Sequence, residues 1–71
     1  MSNLSEQIEK NFKYHAPKEG QPEKYTALRD KAKSLALDFV DKCPESRELA
    51  LALTKLEESV MWANAAIARN E

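Results

Sequence analysis

Cysteine, glycine, histidine and tryptophan each occur once in these 71 residues, and each scarcity excludes something. A lone thiol, Cys43, cannot close an intrachain disulfide, and one thiol with one histidine makes a multi-ligand cysteine or histidine metal site unpromising. A lone glycine, Gly20, cannot build a glycine-rich phosphate loop. No stretch is long and apolar enough to span a membrane, and no secretory leader pattern is present. An unpaired thiol suits a reducing compartment, so the cytoplasm is the expected location. The adjacent Glu57 and Glu58 fall at different azimuths of a helix and read as solvated, and His15 has no evident catalytic partner. The expectation is a non-enzyme with no cofactor and no metal.

Charge of one sign is also lacking. The net charge of −1 excludes a generic polyanion binder, so no DNA or RNA polymer is expected as partner. The distribution is less even. From Lys10 to Lys33 seven cations face three carboxylates, a local +4 on an acidic chain. That zone fits a small anionic ligand better than a long nucleic acid, and equally fits a solvated helix face.

What is present is helical periodicity, predicting an all-α single domain over 1–71. Ser2 or Asn3 can cap a short helix over about 3–13, with Leu4, Ile8 and Phe12 as its stripe. Two prolines and the glycine interrupt residues 14–22, the one substantial loop. A second helix over about 22–42 starts on Pro22 and carries Tyr25, Leu28, Ala32, Leu35 and Phe39 on one stripe, widened by Ala36 and Val40. Cys43, beside that stripe, reads as a small buried hydrophobe. A third helix over about 45–69 repeats Leu49, Leu53, Leu56, Val60, Ala63 and Ile67, which should pack on the second helix as a long antiparallel hairpin.

The third helix has a surplus. From Val60 to Ala68 every residue except Asn64 is apolar, so this end needs cover on more than one side. A core this small supplies only ~3–5 kcal/mol, and with disulfides excluded the remaining remedy is self-association. Met61, Trp62, Ala65 and Ala66 are the expected interface in a compact helical homo-oligomer, with Trp62 the main anchor. Asn64 either fixes register between subunits or faces a ligand.

The loop is chemically expressive. Tyr14 and His15 lie between Lys13 and the proline-braced Ala16-Pro17-Lys18. An aromatic face beside cations can hold a nucleobase and its phosphate; equally, both rings could simply close the first helix onto the other two.

The segments FKYHAPKEGQP (12–22), YTALRDKAKSLA (25–36) and PESRELALALTKLEESVMWANAAIARN (44–70) resemble the phage anti-CBASS cyclic-nucleotide sponge family, the second anti-CBASS protein. The resemblance implies a helical homohexamer that binds cyclic dinucleotides and cyclic trinucleotides of bacterial CBASS immunity without cleaving them, in the cytoplasm of the infected host. It implies Tyr14 as the stacking residue. Arg29 is then the basic partner, with Lys33 and Lys24 as alternatives, while His15 and Pro17 shape the pocket and Arg69 serves a second one. The alternatives from other classes are a helical adaptor acting on a host protein through the Met61-Trp62 face, and a structural oligomer without ligand.

Overall fold

A computed structural model describes residues 3–71; Ser2, one of the two expected caps, lies outside them. It contains three helices, α1 (Asn3–Asn11), α2 (Gln21–Lys42) and α3 (Arg47–Asn70). Helix α1 stops short of the expected Lys13, its last turn closed by Phe12 N–H donating to the Ile8 carbonyl at 3.0 Å. Helix α2 opens after Gly20, whose φ of 85° is left-handed backbone that glycine adopts without strain. Pro22 occupies the first turn, where its missing N–H costs nothing. Helix α3 opens on Ser46, whose hydroxyl accepts from Leu49 N–H at 3.1 Å.

The second and third helices form the antiparallel hairpin that the periodicity predicts. Gln21 and Lys24 reach Ile67 and Glu71 at one end, while Val40 and Leu49 line one shallow pocket at the other. Tyr25, Leu28, Ala32, Ala36 and Phe39 face Leu49, Leu53, Leu56, Val60, Ala63 and Ile67 along the seam, all half-buried. Two members of the expected stripe fall outside it. Leu35 and Val40 are exposed, because a stripe as wide as the one expected wraps past the single neighbouring helix. Cys43 corrects another expectation: it is exposed, since the chain leaves α2 there in an extended conformation (φ −110°, ψ 141°) that carries it off the seam.

The hairpin is one layer thick. The molecule measures 49 × 29 × 13 Å, and a helix with its side chains is about 10–12 Å across. Among the described residues no apolar side chain is fully buried. Its accessible surface of 5950 Å² exceeds by about 1,400 Å² the area expected of a compact monomer of this mass. The radius of gyration, 15.7 Å, likewise exceeds the roughly 11 Å of a compact chain of this length. The surplus apolar surface of α3 therefore finds no cover within one chain: Met61 and Trp62 stay exposed, with Trp62 at 63%.

Candidate functional site

Three groups of candidate residues occupy different parts of this slab. The first is the loop between α1 and α2. His15 Nε2 donates to the Lys10 carbonyl at 2.8 Å, satisfying an end carbonyl of α1 and fixing the imidazole proton on that nitrogen. Pro17 restrains the backbone of Ala16 before it. At the far end Gln21 N–H donates to the Lys18 carbonyl at 3.0 Å, closing a tight turn. Between these anchors residues 14–18 have no regular structure, and the Tyr14 ring stands 81% exposed.

The second group lies where the loop meets the end of α3. Lys24 pairs with the Glu71 carboxylate at 2.6 Å, Lys18 Nζ donates to a Glu71 main-chain oxygen, and Lys10 Nζ donates to Asn70 Oδ1 at 2.7 Å. The hydrogen bonds from Lys24 and Gln21 hold the Glu71 carboxyl below its ordinary value against a smaller opposing desolvation, with the charges of Lys24 and Lys18 adding to the effect. Lys24 is thus already engaged with an acid.

The third group flanks the hairpin seam. Arg29 and Lys33, one turn apart on α2, line an open groove of about 470 Å³ with Glu57 and Met61 of α3. Ala32, Ala36, Leu53, Leu56 and Val60 also line it. Arg29 Nη2 donates to Thr26 Oγ1 at 3.3 Å, and the groove has the size range of small-ligand sites. A cationic edge over an apolar floor suits a flat anionic molecule.

The structure thus brings Arg29, Lys33 and Met61 together and leaves Tyr14, His15 and Pro17 in a separate cluster. Arg69 is half-buried in the last turn of α3, seven residues or two turns from Trp62 and hence on the same side of that helix. Ala66 is exposed, whereas Ala65 is half-buried. Asn64 lies beside the seam, and its Oδ1 is buried without a hydrogen-bond partner. Sequence reasoning missed Gln21, which is 3% exposed and joins the first two groups. Its side chain accepts from the N–H three residues earlier, the spacing of a capping box displaced one turn before the helix, and that was the available signal.

These features define a small all-helical hairpin protein with aromatic and cationic binding chemistry displayed on its surface. The family model of the Acb2/Tad1 hairpin domain matches residues 5–68. The chain belongs to that family, the anti-CBASS sponges, which bind cyclic oligonucleotides. No curated protein and no solved structure matches it.

Proposed function

We propose that the protein sequesters cyclic di- and trinucleotide messengers, intact, in pockets formed between copies of itself, a homohexamer in the cytoplasm of the infected bacterium. The observation that carries this reading is that Tyr14 stands exposed on its loop and is not among the residues lining the groove that Arg29 and Lys33 flank. One chain offers a stacking ring in one place and phosphate-binding cations in another; two chains can present both to one ligand. Stacking on an aromatic contributes ~1–3 kcal/mol per base, and charge-assisted hydrogen bonds from Arg29 or Lys33 add to it. A symmetric messenger suits a symmetric assembly, because equivalent residues grip equivalent halves. Sequestration requires tight binding and slow release, with no chemical step.

Two further roles complete the proposal. Met61, Trp62, Ala65 and Ala66 supply the contact between copies, and Arg69, on the side of Trp62, serves a second pocket. Calorimetric titration with cyclic di-AMP and cyclic tri-AMP, with the mass followed by light scattering, tests the whole. Micromolar or tighter binding by an oligomer is expected. Silence toward both ligands from an intact oligomer would remove the reading for them. Exposed Met61 and Trp62 would then favour the adaptor that acts on a host protein through that face.

A further inference from the structure

The one buried residue among the described residues is polar, and it holds the Tyr14 loop. Gln21 uses three of the four hydrogen-bonding positions of its amide across that junction. Its Oε1 accepts from Lys18 N–H at 3.0 Å, and its Nε2 donates to the Ile67 carbonyl at 3.4 Å and to Glu71 Oε1 at 3.3 Å. A glutamine in the first turn of a helix has no intrinsic need to be buried; on average this residue type is exposed. Here it links three parts of the chain: the end of the loop, the start of α2 and the last turn of α3.

We infer that Gln21 is a positioning residue for the cyclic-nucleotide site, a latch that sets where the Tyr14 ring stands relative to the hairpin. The inference rests on the reading of Tyr14 as the stacking residue. The backbone of residues 14–18 has no regular structure to orient it, so its course is set by its two ends. His15 fixes one end to α1 through the Lys10 carbonyl, and Gln21 fixes the other to α3 through Lys18. Pro17 transmits the constraint, since its φ is set by its own ring. Releasing the Gln21 end frees the loop before binding, and the ligand must then order it. Glu71 belongs to the same latch: its carboxylate accepts from Gln21 and Lys24 together.

The test uses the full chain, cyclic di-AMP as probe and two readouts. Gln21→Glu keeps the shape but cannot donate to the Ile67 carbonyl, and it sets a second carboxylate against Glu71. Its affinity should fall about tenfold, equivalent to ~1.4 kcal/mol, with the oligomeric mass and helical content unchanged. Trypsin cleavage of the ligand-free protein after Lys13 and Lys18 should accelerate by a similar factor. Adding Glu71→Gln returns an amide donor to the junction and should restore both readouts to within about threefold of the parent. If Gln21→Glu loses helicity, Gln21→Met, which keeps the volume and removes every bond, decides in its place. Parental affinity and parental cleavage in the deciding variant would overturn the latch. Tyr14→Ala, titrated alongside, separates the two readings: if it binds normally, the stacking role fails, and the cleavage rates still decide whether Gln21 holds the loop.

Discussion

The hairpin and the N-terminal arm of this protein are held by different forces. Along α2 and α3 the attachment is apolar: two stripes meet in a seam, and alanines at Ala32, Ala36 and Ala63 let the helices approach. In the arm the apolar side chains face outward. Ile8 and Phe12 are exposed, Phe12 at 86%, and polar bonds from Lys10 and Lys18 tie this region to the end of α3, beside those that Gln21 and Lys24 of α2 make there. An apolar seam has no charge to screen or titrate, whereas bonds from lysines to a carboxylate are screened and titratable. The difference teaches that α1 and its loop are attached by groups that salt and pH can loosen. Their exposed apolar stripe, like that of Met61 and Trp62, requires cover that a single copy does not supply.

The comparison can be broken most forcefully at Trp62. Trp62→Ala should dissociate the assembly while leaving the hairpin helical, because the indole lies off the seam. The expected loss is that of an interface anchor, at least ~2 kcal/mol, and light scattering should report the fall in mass. Cyclic-nucleotide binding should be lost with it. Tyr14→Ala is the converse experiment in the arm. It should weaken cyclic di-AMP by about 10- to 100-fold, matching ~1–3 kcal/mol of stacking, with mass and helicity retained; Tyr14→Phe should keep most of the affinity in the same titration.

Smaller effects sharpen the contrast. Ser46→Ala removes the side-chain cap of α3 and should cost ~1 kcal/mol, seen as a fall of several degrees in Tm at unchanged affinity per folded protomer. The smallest effect belongs to Glu71. Its folded-state pKa lies below the ordinary 4.5, so its contribution is fully present above that value and is lost as pH falls through the lower, folded one. The Tm difference between the parent and Glu71→Gln should therefore be present at pH 7 and close as the pH falls below the ordinary carboxylate range. It should also shrink in high salt, because Lys24 and Glu71 are both partly exposed.

The hairpin was legible in the sequence because its signals are local. Leu49, Leu53, Leu56 and Val60 recur at helical spacing, and the starts expected at Pro22 and about residue 45 lie within a residue or two of the observed Gln21 and Arg47. Stripe width was less legible. Leu35, Val40 and Cys43 share the composition of a core, but only one helix is available to cover α2, and periodicity does not say how many neighbours a helix has. The candidate site was legible as residue types and not as geometry. Tyr14 could be named from its aromatic chemistry beside cations and Arg29 and Lys33 from the family resemblance, yet how the ring stands relative to those cations depends on the course of an irregular loop. Gln21 escaped notice because its partners at Ile67 and Glu71 lie far along the chain. That Lys24 is engaged by Glu71 follows from the same long-range junction.

The central claim is that the binding chemistry of one chain is completed by another. Titrating cyclic di-AMP into a mixture of Tyr14→Ala and Arg29→Ala/Lys33→Ala protomers, after dissociation and reassembly, tests it most directly. Each variant assembled alone should bind at least about tenfold more weakly than the parent. The mixed assembly should bind more tightly than either variant alone, though more weakly than the parent, because one half of each mixed site then pairs an intact ring with intact cations. Mixed assemblies that bind no better than either variant alone, although mass measurements show the protomers to be mixed, would contradict a site shared between copies.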